Sequence, residues 1–169
     1  MPLCHGFPPV AGPRARCLIL GSMPGRASLQ ADQYYAHERN AFWRIMGELF
    51  GAGPDQSYAQ RLATLQAAGI ALWDVIAACE RAGSLDADIV GASVRANDFA
   101  AFLRQQPEIR RVFFNGAAAE AAFRRYVLPG LAGRPLLLQR LPSTSPAHAA
   151  RSYGEKLAAW SVLVSAANM

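Results

Sequence analysis

The feature that most constrains the fold is an alternation of short apolar runs with stretches of helical periodicity. Residues 17–20 (CLIL), 70–75 (IALWDV), 111–114 (RVFF) and 136–138 (LLL) are apolar runs bounded by glycine, asparagine or proline. Short apolar runs of this kind, without polar alternation, are typical of parallel strands that are buried on both faces. The pattern therefore predicts an α/β fold, a three-layer α/β/α sandwich around a small, mainly parallel central sheet.

Amphipathic segments lie between these strands. Residues 41–50 carry apolar side chains at helical spacing, and Asn40 stands where the N-cap of that helix is expected. Residues 80–96 have no clear periodicity and are predicted to be irregular, as is the long connection after residue 20. Four more segments are predicted to be helices: residues 57–68, 97–106 with Asn97 as the N-cap, 117–127 and 152–164.

The size and composition are those of a compact protein. A chain of 169 residues with 52% hydrophobic and 17% charged residues suits one folded domain spanning residues 1–169 and excludes long disordered tracts. Cys4, Cys17 and Cys79 are odd in number and far apart, so neither a disulfide framework nor a metal-binding Cys-x-x-Cys pair is expected. No signal peptide, membrane span, metal or organic cofactor is predicted, and we expect a cytoplasmic protein.

The charge balance favours an anionic partner. The net charge is +5, which is typical of proteins that bind nucleic acid. Sixteen of the seventeen basic residues are arginine, however, and a compositional bias of the source genome explains this excess equally well. Charge alone therefore leaves the partner open.

The unusual loops all follow predicted strands. Residues 21–25 (GSMPG), 114–116 (FNG) and 141–146 (LPSTSP) each come after an apolar run. Because ligands of parallel sheets bind at the carboxyl ends of the strands, these loops predict a site at one edge. GSMPG is neither a P-loop nor a dinucleotide fingerprint; it is a tight turn whose backbone N–H groups can face a polar ligand.

Taken in order, three segments resemble the active-site segments of the uracil-DNA glycosylase superfamily. Residues 21–25 (GSMPG) and 34–43 (YYAHERNAFW) are similar to the GINPG and N-x-F-W elements of mismatch-specific thymine/uracil glycosylases. Residues 141–148 (LPSTSPAH) are similar to the MPSSS-type second motif of those enzymes. The resemblance extends from about residue 16 to about residue 160.

The middle of the chain resembles one branch of this superfamily, the hypoxanthine-DNA (deoxyinosine) glycosylases. The segments concerned are residues 72–76 (LWDVI), 83–86 (GSLD) and 112–116 (VFFNG). This resemblance implies a DNA glycosylase that hydrolyses the N-glycosidic bond of deaminated bases, hypoxanthine foremost, in base excision repair. A uracil or mismatch-specific glycosylase is the alternative within the superfamily.

Two positions depart from the wider superfamily. Met23 stands where relatives carry a catalytic asparagine or aspartate, and Leu141 stands where the uracil-specific branch has a histidine. A thioether neither orients nor deprotonates water. In the hypoxanthine branch the resemblance gives important roles to an asparagine before the Phe-Trp pair and to one closing the later strand, here Asn40 and Asn115.

Glycosidic bond cleavage suits such amides, because the oxocarbenium-like transition state needs charge stabilisation and a placed water more than a strong nucleophile. We assign Asn40 to holding the water near C1′ and Asn115 to reading the base, whose carbonyl and adjacent N–H an amide complements. The structural alternatives are a helix N-cap for Asn40 and a strand-to-helix turn for Asn115.

The other candidate residues divide by what they would contact. Tyr35 or Phe42 is expected to stack on the flipped base, and Gly21, Ser22 and Met23 of the tight turn are further candidates for binding it. The candidates for contact with the DNA backbone are Ser143, Ser145, His148 and Arg39. Two further candidates, Asp74 and His37, would handle water or the leaving base.

The expected partner is double- or single-stranded DNA that contains a deaminated base, bound by a monomer. Two functions of other classes remain open. One is a catalytically silent nucleic-acid-binding relative, since Met23 replaces the usual catalyst. The other is a small-molecule nucleotide- or phosphate-binding protein that uses the GSMPG turn.

Overall fold

The computed structural model describes residues 3–131 and 133–168. Its strands are β1 (Leu3–His5), β2 (Cys17–Gly21), β3 (Ile70–Asp74), β4 (Ile76–Glu80), β5 (Arg95–Ala96), β6 (Arg111–Asn115) and β7 (Leu137–Leu141). Its α-helices are α1 (Arg26–Ala31), α2 (Phe42–Phe50), α3 (Tyr58–Ala67), α4 (Phe99–Gln105), α5 (Ala117–Tyr126), α6 (Tyr153–Trp160) and α7 (Val162–Ala167).

Four strands form the parallel sheet that the apolar runs predict. The strand order is β3-β2-β6-β7, and every neighbouring pair is parallel. Cys17 lies opposite Ile70 on one side and Arg111 on the other, so the carboxyl ends of β2, β3 and β6 reach the same edge. The loops that follow these strands therefore meet there.

Side chains of the sheet alternate between two hydrophobic cores. Leu18 and Leu20 of β2 face one core, which α4 and α5 cover, whereas Cys17 and Ile19 face the other, covered by α2, α3, α6 and α7. Successive strand residues point to opposite faces, and both faces are covered, so every residue of β2 is buried. The predicted three-layer α/β/α fold is confirmed.

Strand ends differ from the sequence prediction at two places. The pairing of β7 with β6 continues to Leu141, which lies opposite Asn115, although Leu141 was predicted to start a loop. The strand predicted over residues 70–75 ends at Asp74, which lies opposite Gly21, and the Val75 N–H makes the last bond to β2, to the Gly21 carbonyl at 2.9 Å.

A second, antiparallel sheet was not predicted. It has the order β1-β4-β5, and β4 lies partly in the stretch predicted to be irregular. Two of its strands have only three and two residues, too few for a period-two pattern to be recognised. The sheet anchors the segment that follows β4 beside the carboxyl edge of the parallel sheet.

Two predictions about helices were wrong. Helix α1 lies in the region predicted to be a loop, and it escaped detection because it is short and has no side-chain N-cap. The N-cap of α4 is Asp98, whose side chain accepts from the Ala101 N–H at 3.0 Å. Asn97 instead donates its amide to the Asp74 carbonyl at 2.7 Å.

The C-terminal helix predicted over residues 152–164 is two helices. Ser152 caps α6 through a capping box with Glu155, and the helical path breaks at Ser161 before α7 begins. The Ser161 hydroxyl bonds the Ala158 carbonyl at 2.6 Å, which competes with continued helical bonding.

Candidate active site

A cavity of about 270 Å³ opens at the carboxyl edge of the parallel sheet. The ends of three strands contribute Gly21, Asp74 and Asn115 to its lining, and the loop after β7 contributes residues 143–147. Predicted site residues that line it are Gly21, Ser22, Met23, Tyr35, His37, Asn40, Asp74, Asn115, Ser143 and Ser145. The fold therefore brings most of the predicted site residues together around one cavity.

Three residues form one side of the cavity, which we call the amide wall: Asn40, Asn115 and Thr144. Thr144 donates its backbone N–H to Asn115 Oδ1 at 2.9 Å, and Asn115 Nδ2 donates to Thr144 Oγ1 at 3.0 Å. A side-chain amide has two N–H groups and two lone pairs. The bonds to Thr144 therefore leave one N–H and one lone pair of Asn115, and the Tyr35 hydroxyl is the neighbouring polar group that the amide also affects.

Asn40 combines the two roles that the sequence left open. Its Oδ1 accepts from the Phe42 N–H at 2.9 Å, so it holds the start of α2, although Ala41 occupies the N-cap position. Its Nδ2 bonds no residue that the structure describes, and the side chain lines the cavity. The helix start therefore fixes the amide at the cavity.

A second group of residues forms what we call the carboxyl wall: Gly21, Tyr35 and Asp74. Asp74 is 4% exposed, and its Oδ2 has no hydrogen-bond partner within the described residues. Burial, with a further contribution from the negative charge of Asp86, raises the pKa of Asp74 to about 7, whereas Arg81 acts to lower it. The carboxyl group therefore titrates close to neutral pH.

Tyr35 lies against the same strand end. Its hydroxyl is buried without a well-formed hydrogen bond to the described residues, and its backbone φ of +55° is uncommon for a residue other than glycine. Burial and the nearby Asp74 raise the pKa of the Tyr35 phenol far above its usual value, with a smaller opposing effect of Asn115. A Cβ on Gly21 would collide with the Asp74 carboxylate, so this close approach requires glycine.

The two aromatic candidates, Tyr35 and Phe42, stack on each other at different depths. The rings of Tyr35 and Phe42 stack with centroids 4.1 Å apart and planes 25° apart. Phe42 is fully buried beneath Tyr35 and does not line the cavity, because it also packs edge-on against Trp43 and Trp160. The expectation of direct base contact by Phe42 is corrected on this point, and Tyr35 is left as the stacking candidate.

Three residues that the sequence reasoning did not single out support the GSMPG turn. Arg81 is 4% exposed and donates to the Pro24 carbonyl at 2.6 Å, and Asp86 accepts from the Ser22 hydroxyl at 2.5 Å. Ser84 accepts the Arg26 N–H at 2.9 Å. They lie on the segment after β4, where residues 83–86 carry part of the resemblance to the hypoxanthine branch but no periodicity indicates these contacts.

Met23 is 7% exposed and joins the core cluster that packs under the sheet edge. The two residues before it, Gly21 and Ser22, accept with their carbonyls from the N–H groups of Val75 and Ile76 at the β3–β4 junction. The turn therefore directs these carbonyls into the fold. Its Met23 side chain contributes packing and no proton chemistry.

The predicted DNA-contacting residues lie around the mouth, but not all line the cavity. Ser143 Oγ accepts from Ser145 N at 3.2 Å, and Ser145 Oγ accepts from Ala147 N at 3.2 Å, so both hydroxyls also cap the loop. His148 and Arg39 are exposed outside the cavity lining.

The remaining predicted candidate, His37, lies at the cavity edge. Its Nδ1 accepts from the Arg39 N–H at 3.1 Å, so in the neutral ring Nε2 carries the hydrogen. This bond shapes the loop before Asn40 and leaves Nε2 as the polar atom available to a ligand.

The loop after β7 is held from below by α6. Lys156, the one lysine of the sequence, is 6% exposed and donates to the carbonyls of His148 at 2.8 Å and Ser145 at 3.4 Å. Burial lowers the pKa of this lysine. One turn later the Trp160 indole donates to the Pro142 carbonyl at 2.8 Å.

Within residues 3–131 and 133–168, no three His, Cys, Asp or Glu side chains are grouped so that they could hold a metal ion. The three cysteines are free thiols. No helix in the described part of the chain is both long and apolar enough to cross a membrane.

The family model of the uracil DNA glycosylase superfamily matches residues 8–164. The chain belongs to this superfamily. The resemblance drawn from the motifs is confirmed.

Relatives and a solved structure are similar over most of the chain. Two proteins named hypoxanthine DNA glycosylase, from Methanosarcina barkeri and Methanosarcina acetivorans, are each 39% identical, over 66% and 68% of this chain and 70% and 72% of their own. An NMR structure from Methanosarcina acetivorans, provisionally described as a uracil DNA glycosylase, superposes with a TM-score of 0.76 at 34% identity, covering 95% of this chain and 98% of that one.

Proposed function

We propose that this protein is a DNA glycosylase that hydrolyses the N-glycosidic bond of a deaminated base in DNA, with hypoxanthine as the main substrate. The observation that carries the proposal is the pair of asparagine amides on one wall of a strand-end cavity, with an N–H and a lone pair of Asn115 unused. The two relatives named hypoxanthine DNA glycosylase support it.

The base is read by Asn115. Hypoxanthine presents a carbonyl oxygen beside a ring N–H, which the free Nδ2 hydrogen and the free Oδ1 lone pair complement; adenine presents the reverse pattern. A cavity of about 270 Å³ is at the small end of ligand sites and suits a single flipped base. Tyr35, supported by Phe42, provides the aromatic surface on which that base stacks.

The chemistry needs little more than placement. As the C1′–N bond breaks, positive charge develops on the sugar and negative charge on the leaving base. Asn40 holds the water that adds to C1′, the departing base takes up a proton, and an abasic site remains. Met23 takes no part in these steps, and the titration of Asp74 changes the field at the base.

The DNA backbone binds around the mouth of the cavity. Ser143 and Ser145 offer hydroxyls there, and Arg39 and His148 are exposed beside it. Such groups contact phosphates and set the register of the duplex without reading sequence. With a net charge of +5, binding weakens as salt rises.

The protein acts as a monomer in the cytoplasm. The free thiols of Cys4, Cys17 and Cys79 suit a reducing compartment.

Uracil is the second candidate substrate. Its O4 and N3–H present the same acceptor and donor pair to Asn115. The similar NMR structure carries the provisional description of a uracil DNA glycosylase. The two substrates then differ in size, so the shape of the cavity decides between them.

A panel of duplexes tests the proposal. Matched oligonucleotides that contain deoxyinosine, deoxyuridine, deoxyxanthosine or only normal bases are incubated with enzyme in excess, and abasic sites are detected by alkaline cleavage. We expect fastest cleavage at deoxyinosine and none in the normal duplex. Tight, salt-dependent binding without cleavage of any lesion would identify a silent DNA-binding relative instead.

A further inference from the structure

Thr144 is a buried polar residue that joins the loops of the two asparagines. It is 1% exposed and lies between Ser143 and Ser145, the hydroxyl residues that the motif made conspicuous. Its backbone N–H and its hydroxyl oxygen both bond the Asn115 amide, and its carbonyl accepts from the Ala41 N–H at 3.0 Å. One residue therefore contacts the Asn115 side chain and the backbone next to Asn40.

The two bonds to Asn115 fix the sense of its amide. The Thr144 N–H can only donate, so its partner in the Asn115 amide must be the oxygen. A half-turn of the amide would place Nδ2 against that N–H, donor against donor. The hydroxyl oxygen then holds the nitrogen side, and the unused N–H and lone pair keep a constant order toward the cavity.

We propose that Thr144 is a positioning residue that sets base preference by holding the Asn115 amide in one orientation. This inference rests on the proposed role of Asn115 in reading the base. An amide free to turn offers the hypoxanthine pattern in one orientation and the adenine pattern in the other. The clamp on Asn115 removes the second orientation, and with it the complement to adenine.

The same residue sets the distance between base reading and water placement. Because the Thr144 carbonyl bonds Ala41, a shift of the Asn115 loop carries with it the loop that holds Asn40. The two amides consequently keep one geometry relative to a bound nucleotide. Precise placement of this kind is what a reaction that relies on a held water needs.

The test uses Thr144→Val, which has nearly the same shape but lacks the hydroxyl, and Thr144→Ser, which retains it. Thr64, the other threonine of the sequence, is half-buried on α3, where its hydroxyl donates to the Gln60 carbonyl at 2.9 Å, and Thr64→Val is the matched control. Excision of deoxyinosine is measured with free hypoxanthine and free adenine as competing ligands. The readout is the ratio of their inhibition constants, which a loss of folding alone does not change.

Thr144→Val keeps the backbone N–H that selects the sense of the amide and removes only the hydroxyl that holds its nitrogen side, so it loosens the clamp. We expect it to narrow that ratio several-fold, with about tenfold, the size of one lost hydrogen bond, as the upper bound, and Thr144→Ser to restore it. Thr64→Val should match the wild type. A folded Thr144→Val protein with the wild-type ratio would overturn the inference. If the wild type excises no base, the proposed function fails, and the orientation is tested separately by amide exchange.

Hydrogen exchange of side-chain amides is measured in the wild-type protein itself, and one variant serves only for assignment. The Asn115 Nδ2 signals are assigned by their absence in Asn115→Asp. We expect one Asn115 proton to exchange more slowly than those of the exposed Asn168, because Thr144 holds it. Equal exchange rates would contradict the clamp.

Discussion

The two walls of the cavity differ in charge and in how well their polar groups are bonded. On the amide wall, Asn115 and Thr144 bond each other reciprocally, and neither group titrates near neutral pH. On the carboxyl wall, the Tyr35 hydroxyl and Asp74 Oδ2 are buried without a well-formed bond to the described residues. One wall is rigid and neutral, and the other responds to pH.

This difference indicates a division of labour. Neutral, held amides can place a water and read a base without reorganising, which is what stabilisation of separated charge requires. Buried polar atoms without partners cost free energy and persist where a ligand or a functional need compensates for them. We therefore assign the reaction to the amide wall and the tuning of the pocket to the carboxyl wall.

The largest expected effect is that of Asn40→Ala. Loss of a water-positioning amide should lower single-turnover excision of hypoxanthine about 10²-fold or more. Folding should survive, because the lost bond to the Phe42 N–H costs only about 1 kcal/mol. The measurement pairs excision of a deoxyinosine duplex with thermal melting.

Met23→Ala is the control for Asn40→Ala, because it alters the position of the usual superfamily catalyst. It should change the rate little, since Met23 contributes packing. If folded Asn40→Ala cut at the parental rate, the reaction would belong to the other wall, with Asp74 or His37 handling the water.

Asn115→Asp should weaken excision about tenfold or more. An ionised carboxylate offers no donor to the base carbonyl and repels its oxygen, so discrimination between oxo bases and adenine should fall as well. The Thr144 N–H still has an oxygen to bond, which keeps the loops joined. Wild-type activity of this variant on hypoxanthine would remove Asn115 from the pocket.

The carboxyl wall should make stability depend on pH. The pKa of Asp74 is about 7 in the folded protein and near 3.8 when unfolded, so the native state binds the extra proton between these values. Its contribution to stability is full below about pH 4 and is lost as pH rises through about 7, by at most about 4 kcal/mol.

Asp74→Asn isolates this contribution. The melting temperature of the wild type, taken relative to that of the variant, should fall between about pH 4 and about pH 7. Above about pH 7 this difference should stay constant. Parallel melting curves for the two proteins across this range would mean that Asp74 is ionised throughout, and the contrast between the walls would weaken.

A smaller effect should come from extrusion of the base, which must precede contact with either wall. Inosine opposite thymine is less well paired than inosine opposite cytosine, so its unpairing costs less. We expect a few-fold faster cleavage of the mismatched duplex under single-turnover conditions. Equal rates would show that extrusion does not limit the reaction.

The sequence predicted the positions of the walls better than their internal bonds. Strand-end loops fall at one edge of any parallel sheet, so Asn115 and Asp74 could be placed at the cavity from their positions in the chain. The role of Thr144 could not be predicted in this way, because it depends on the hydrogen bond of its N–H to Asn115, 29 residues away in the chain. Ser143 and Ser145 looked stronger in the motif, yet their hydroxyls also cap their own loop.

The segment after β4 was the least predictable part. Its strands are too short to show a period, and its contacts with the GSMPG turn join residues far apart in the chain, such as Ser22 and Asp86. The burial of Lys156 was equally hidden, because a lone lysine on a helix is usually solvated. Such contacts are set by tertiary packing.

The most direct test of the division between the walls is the pH dependence of single-turnover excision for wild type, Asn40→Ala and Asp74→Asn on one deoxyinosine duplex, from about pH 5 to about pH 9. The account predicts that Asn40→Ala keeps the wild-type profile about 10²-fold lower, whereas Asp74→Asn stays within about tenfold of wild type and loses the inflection near pH 7. An inactive Asp74→Asn protein beside an active Asn40→Ala protein would contradict it.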